Sequence, residues 1–261
     1  METNILFYTL SENNDFRGLA RHIYESGYNK KGKTLLFSPE LTPVTRLLEL
    51  MLVRLRGGPS LDGIVFATTA NAADDPVEAL AERLGVGVWR GSEDDVLRRV
   101  LDAALHHKID VIVETTGDCP LIDPAAVEEC IQVYRRAKVD YVSNVLTRSY
   151  PVGMDTQVFA TAVLADVARR TNDARDHEHV SLYIHRHPEI YTLKNVPAPA
   201  HLTRPELALT LDTPEDYRLI GAIFADLYPA HPAFSLADVL ALLDRRPDIA
   251  EMNAHVRRKK A

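Results

Sequence analysis

Cysteine is nearly absent. Cys119 and Cys130 are the two in the chain, too few for a disulfide framework, and without matching partners they do not make a zinc site. A reducing compartment fits that usage. Long apolar runs are missing as well. No stretch approaches the roughly 18 apolar residues that a membrane-spanning helix needs, so no membrane association is expected. The start, Met1-Glu2-Thr3-Asn4-Ile5, lacks the basic head and apolar core of a secretory signal, which makes the cytoplasm the expected location. A surplus of basic charge is lacking too. A formal net charge of −7 argues against sequence-independent nucleic-acid binding, and the terminal cluster Arg257-Arg258-Lys259-Lys260 reads as a solvated tail. There is no internal repeat and no low-complexity stretch.

What remains is a pattern of short apolar runs alternating with helical text. With 261 residues, 46 % of them hydrophobic, the chain has room for one α/β domain with an elaboration. Strands are expected at Ile5 to Leu10, Gly63 to Thr68, Val86 to Trp89 and Val111 to Thr116. Helices are expected at Phe16 to Ser26, from Thr42-Pro43 to about Arg56, from Asp75-Pro76 to Gly85, and from Asp123-Pro124 to about Arg136. Ser92 stands three residues before Asp95, the spacing of a capping box, ahead of a helix running to about His107. Such alternation with short links predicts a doubly wound, mostly parallel sheet with helices on both faces. From Tyr141 to Pro199 the rhythm changes, and residues 145–200 read as an inserted flap carried by a single domain spanning 1–261. This region holds a strand through Met154 to Phe159, two helical pieces and a strand from Tyr191 to Val196. Leu207 to Leu211 reads as a return to the sheet, Pro214 opens a helix to about Tyr228, and Ser235 to Asp238 repeats the capping-box spacing.

Asp118 and Asp212 each follow one of these apolar runs. In an open α/β sheet the carboxyl ends of the strands converge on one crevice, where two aspartates can share a divalent cation and the phosphates it carries. The competing reading of Asp212 is a helix cap, because Thr213-Pro214 follows it directly. Asp118 is freer, since Asp123-Pro124 already accounts for the next helix start. A second phosphate-binding possibility is Gly27 to Thr34, which matches the P-loop pattern. It lacks the strand before and the helix after that the loop requires, and reads better as a surface turn or a displaced phosphate anchor. His177-Glu178-His179 lacks the spacing of two ligands on one helical face, and His106-His107 reads as a favourable contact with a helix dipole.

Thr116-Gly117-Asp118-Cys119-Pro120-Leu121-Ile122-Asp123-Pro124 and Leu211-Asp212-Thr213-Pro214-Glu215-Asp216 resemble the cytidylyltransferases that activate sugar acids, notably the spore-coat polysaccharide branch and the CMP-Kdo and acylneuraminate synthetases. Ala67-Thr68-Thr69, Arg90 to Leu97, Tyr141 to Asn144, Tyr150 to Asp155 and His177 to Val180 extend the resemblance over roughly residues 60 to 254. It implies a fold of the nucleotide-diphospho-sugar transferase type and a homodimer built through the flap. It implies transfer of CMP from CTP to a sugar or sugar acid for a surface polysaccharide or glycan, with Mg²⁺ on Asp118 and Asp212. It also implies that Thr68, Arg90, Ser92 and Asp94 line the nucleotide, and that Asp155, Gln157, Glu178 and His179 face the sugar or the dimer contact. The N-terminus departs from the family: the glycine- and arginine-containing phosphate loop is replaced, leaving Arg17 and Lys33 as the catalytic basic residues on offer. A homologue that binds nucleotide or sugar without turnover, and a glycosyltransferase using a ready-made nucleotide-sugar, are the alternatives.

Overall fold

The computed structural model describes residues 3–8 and 43–258. The expected helix at Phe16 to Ser26, the basic residues Arg17 and Lys33, and the Gly27 to Thr34 segment all lie outside the described residues.

Among the described residues seven strands form one sheet: β1 (Thr3–Tyr8), β2 (Gly63–Thr69), β3 (Gly87–Gly91), β4 (Val111–Thr116), β5 (Tyr141–Ser143), β6 (Gln157–Ala160) and β7 (Leu193–Asn195), in the spatial order β3-β2-β1-β4-β6-β5-β7. Of these seven, β6 runs against its neighbours, β4 and β5, and the other pairings among the described strands are parallel. The order reverses between β1 and β4, and the carboxyl ends on either side of such a reversal open the crevice where α/β proteins place ligands.

The sheet is covered on both faces, which is why its central strands read as unbroken apolar runs. In β2, Ile64 and Phe66 join a buried cluster with α1 (Pro43–Leu55), α2 (Asp75–Leu84) and α4 (Pro124–Ala137). The alternate residues Val65 and Ala67 pack on α3 (Val96–His106) and, further along, on α5 (Thr161–Arg170). Helix limits follow their end chemistry. Asp123 caps α4 by accepting from the Ala125 N–H at 2.8 Å, with Pro124 at the first helical position, and α2 stops at Gly85, whose φ of 62° is left-handed.

A third layer lies beyond α1. Leu47 and Leu50 of that helix pack with α8 (Pro214–Leu227), α9 (Leu236–Arg245) and α10 (Pro247–Ala250). The middle region adds the short helices α6 (Ala174–Glu178) and α7 (Leu182–Arg186), while β6 and β7 from the same region pair into the main sheet.

Several expected boundaries move. The helix expected to be capped by Ser92 starts later, with Asp95 as its cap, accepting from the Arg98 N–H at 2.8 Å; the Ser92 hydroxyl accepts from the Asp95 N–H at 3.1 Å, one turn too early. The strand expected from Met154 starts at Gln157, because Asn144 takes the backbone ahead of it, donating to the Met154 carbonyl at 2.7 Å and accepting from the Thr156 N–H at 2.9 Å.

Leu207 to Leu211 is not a sheet strand. Leu209 and Leu211 are buried, as their pattern requires, but in the C-terminal helix layer. Their backbone pairs with two turns instead: Val152 N–H donates to Leu207 O at 2.9 Å, Leu209 N–H to Val152 O at 2.8 Å, and Leu211 N–H to Asp118 O at 2.8 Å. Gly153 makes this approach possible. Its φ is +98°, and a Cβ there would stand 2.8 Å from the Leu209 carbonyl atoms.

Candidate active site

Asp118 lies two residues past β4, at the reversal point of the sheet. A tight turn holds it there, with Cys119 N–H bonded to Thr116 O at 3.2 Å and the Thr116 hydroxyl against Cys119 Sγ at 3.2 Å. The 207–212 segment is stitched to that turn by the Leu211 N–H on the Asp118 carbonyl. The Thr210 hydroxyl lies 3.4 Å from both the carbonyl oxygen and Oδ2 of Asp118. Asp212, which follows Leu211, is thereby brought toward Asp118 by one main-chain bond and the Thr210 hydroxyl, between two loops distant in sequence.

Asp212 is not the cap of α8. Thr213 is, in a capping box with Asp216, whose Oδ2 accepts from the N–H groups of Asp212 (3.1 Å) and Thr213 (2.9 Å) and from the Thr213 hydroxyl (3.0 Å). The Asp212 carboxylate takes no part in the cap; it is half-buried and feels the charge of Asp118. Burial raises the pKa of Asp118, with hydrogen bonds from Thr116 and Cys119 pulling the other way and the charge of Asp155 adding to the rise. Asp212 is pushed up to about 6, first by burial and then by the charge of Asp118, against the pull of Arg258.

A partly buried carboxylate whose pKa is raised by a neighbouring carboxylate, as Asp212 is by Asp118, marks a place where positive charge is favoured. Arg258 already supplies some, its Nη1 lying 2.6 Å from Asp212 Oδ2 and its Nη2 against Asp216 Oδ1. Among the described residues no cluster of three or more His, Cys, Asp or Glu forms a metal cage. The donor set is a pair of hard oxygen ligands, which suits Mg²⁺: that ion keeps water and takes substrate phosphates rather than demanding an all-protein shell.

The other expected site residues fall into three groups. Asp155 is electrostatically coupled to Asp118 and held by Arg148 in a two-point ion pair, at 2.8 and 2.7 Å. Thr68 and Arg90 sit at the carboxyl ends of β2 and β3, where both organise the loop between them. The Thr68 hydroxyl donates to Asp74 at 2.8 Å, while Arg90 bonds the Thr69 and Asn71 carbonyls at 2.9 and 2.7 Å and the carboxylates of Asp75 and Glu78 at 2.7 and 2.5 Å. Ser92 and Asp94 are exposed in the loop that follows β3. Gln157 opens β6 opposite Glu114 and Ser143, whereas Glu178 and His179 end α6 and pair with each other at 3.5 Å. No hydrogen bond or ion pair among the described residues joins these last two to the aspartates.

Sequence reading passed over Arg148, Thr210, Thr213, Asp216, Asn253 and Arg258. The Thr213-to-Asp216 spacing was a signal available in the sequence, identical to the one recognised at Ser235, where the capping box is present. Arg258, expected in a solvated tail, is instead paired inside the site.

The whole chain matches a cytidylyltransferase from Leptospira borgpetersenii serovar Hardjo-bovis over its full length, with 25 % identity and a TM-score of 0.79. A CMP:2-keto-3-deoxy-manno-octonic acid synthetase solved with CTP, 13 % identical, shares the fold at a TM-score of 0.59, over 86 % of this chain and 99 % of that one. In sequence the chain is 33 % identical to the spore coat polysaccharide biosynthesis protein SpsF of Bacillus subtilis, over 85 % of this chain and 93 % of the relative. It is 32 % identical to an uncharacterised protein of Methanocaldococcus jannaschii, over 82 % and 86 %. The family model described as cytidylyltransferase matches residues 45–241, and with the site's geometry it shows that this chain belongs to the cytidylyltransferase family of nucleotidyltransferases.

Proposed function

We propose that the chain transfers CMP from CTP to a hydroxyl of a sugar or sugar acid, releasing pyrophosphate, with Mg²⁺ held by Asp118 and Asp212. The observation that supports this reading best is the junction of the two loops: the Leu211 N–H on the Asp118 carbonyl joins the segment that carries Asp212 to the turn that carries Asp118, and the charge of Asp118 is felt at Asp212. When bound there, the metal would neutralise phosphate charge and make the α-phosphorus more electrophilic.

The chain's own residues supply position. Thr210 and the Thr116-to-Cys119 turn fix the Asp118 carboxylate, and Asp216 fixes the backbone that carries Asp212. The loop after β2, stiffened by Arg90, and the exposed Ser92 and Asp94 would border the nucleotide. Asp155, clamped by Arg148, borders the same crevice and would meet the acceptor sugar, with Gln157, Glu178 and His179 further along the flap. Arg17 and Lys33 are assigned to the triphosphate. In the transfer the acceptor oxygen forms its bond to the α-phosphorus as the bond to the β-phosphate oxygen breaks, and the hydroxyl proton leaves to solvent. The spore coat relative suggests a surface polysaccharide as the destination of the product, in a cytoplasmic homodimer joined through residues 145–200.

Pyrophosphate release tests this directly, with each nucleoside triphosphate, a panel of sugars and sugar acids, and Mg²⁺ present or chelated. Release that needs CTP, an acceptor and Mg²⁺ together is the expected result. Nucleotide binding with no pyrophosphate from any acceptor would favour a non-catalytic homologue, and nucleoside diphosphate released from a sugar donor would favour a glycosyltransferase.

A further inference from the structure

We propose that Arg258 is a tethered counter-cation that competes with the divalent metal for Asp212, so that bare metal is disfavoured and metal arriving with a nucleotide is favoured. The inference rests on the reading of Asp118 and Asp212 as the metal carboxylates.

Charge alone would leave a guanidinium near the chain end solvated, yet Arg258 is 23 % exposed and forks two carboxylates, Asp212 Oδ2 at 2.6 Å and Asp216 Oδ1. Its position is built rather than incidental. Asp216 is fully buried, and three donors from the α8 start occupy its Oδ2, leaving Oδ1 for the C-terminal segment. Asn253 takes that oxygen at 2.7 Å and the Ala208 carbonyl at 3.0 Å, and a turn from Asn253 O to Val256 N–H at 3.0 Å directs the chain back toward Asp212. One buried carboxylate thus anchors both the segment that carries Asp212 and the segment that carries its cation.

A divalent ion on Asp212 would sit at roughly 2.0–2.1 Å from a carboxylate oxygen. A guanidinium on the other oxygen would then be within a few ångströms of it, and like charges so close, partly shielded from water, repel strongly. One of the two must yield. Bare metal gains Asp212 only by stranding Arg258 beside it. A metal bound to a triphosphate brings surplus negative charge, to which the released guanidinium can turn while Asp216 retains its other edge.

Mn²⁺ is the probe, its free fraction read by electron paramagnetic resonance with the full chain, with and without CTP. For Arg258→Gln the expected result is Mn²⁺ affinity without nucleotide raised roughly three- to tenfold, the range that loss of one partly exposed opposing pair gives, and a smaller gain on adding CTP than in the native chain. Arg258→Lys, which keeps the charge, should stay near the native value. If Arg258→Gln melts well below the native protein, a chain ending at Ala254, which keeps Asn253, provides the same comparison. Unchanged or weaker Mn²⁺ binding in the neutral variant overturns the proposal and makes Arg258 a supporting partner of the ligand. Asp118→Asn separates the two levels of argument: in the Arg258→Gln background, nucleotide-free Mn²⁺ affinity that survives this substitution removes the metal-site reading, and the proposal with it.

Discussion

Asp118 sits in a turn of the site and Asp216 in the first turn of α8, and their substitutions should report opposite things. The bond that joins the two loops uses the main-chain oxygen of Asp118, not its carboxylate. Asp118→Asn therefore keeps the junction and removes only charge, and the expected outcome is a loss of turnover of at least about a hundredfold, as befits the loss of a group stabilising transition-state charge, with little change in melting temperature. Asp212→Asn should behave the same way, since Thr213 and not Asp212 caps α8. Asp216→Asn is the contrast. Its carboxylate accepts from Asp212, Thr213, Asn253 and Arg258, and an amide cannot accept at both positions. A buried donor left facing an NH₂ group, with Arg258 reduced to its pair with Asp212, predicts a stability loss of about 2–4 kcal/mol in urea unfolding. Near-native stability for Asp216→Asn would mean that the C-terminal segment is not anchored where it lies.

At the level of elements, the 207–212 segment decides whether there is a site at all, and Gly153 decides where that segment runs. Gly153→Ala would place a methyl group 2.8 Å from the Leu209 carbonyl in a backbone conformation of φ +98°. The expected cost is about 1–3 kcal/mol for the strained conformation, with a fall in turnover larger than stability alone explains, because relief requires moving Leu209 and with it Asp212; parallel melting and kinetic measurements check this. Elements bounded by their own chemistry were legible in the sequence. Pro43, Asp123-Pro124, Gly85 and the Ser235 box mark ends that the structure reproduces, since each mark acts on its nearest backbone groups. What was not legible depended on distant partners. The apolar pattern of Leu207 to Leu211 tells that it is buried, not that its neighbours are two turns and a helix layer instead of a sheet edge. Ser92 and Asp95 are both acceptable caps, and the packing of Val96 and Leu97 on the sheet selects the later start. Arg258 carried no local signal, because its partners lie more than forty residues earlier in the chain.

Across the whole molecule, the middle region meets the first half of the chain through the β4–β6 pairing and, where α6 crosses the start of α3, through a titratable contact. His177 bridges it, with Nδ1 at 2.8 Å from Asp95 Oδ1 and Nε2 at 3.1 Å from the Thr171 carbonyl. Both ring nitrogens face acceptors, so the doubly protonated imidazolium is the form that matches the site. Burial alone would lower its pKa, but the Asp95 and Thr171 hydrogen bonds and the charges of Asp95 and Asp176 outweigh it, and the pKa rises above 6.5. Asp176 in turn has Arg186 at 3.7 Å, and Asp95 also caps α3, so each charge facing the ring has a second task. A group whose pKa is raised on folding contributes stability that is complete below the unfolded value and is lost as the pH climbs through the folded one. His177→Gln should therefore lower the unfolding free energy most near pH 6, by an amount on the order of 1 kcal/mol for a partly solvated pair, and the difference from the native protein should shrink toward pH 9. A difference that stays constant from pH 6 to pH 9 would show that the ring holds the two halves by shape and not by charge. Because Asp95 begins the helix that lies just beyond Ser92 and Asp94, the same titration should loosen nucleotide affinity above neutral pH in the native chain, and His177→Gln should flatten that profile.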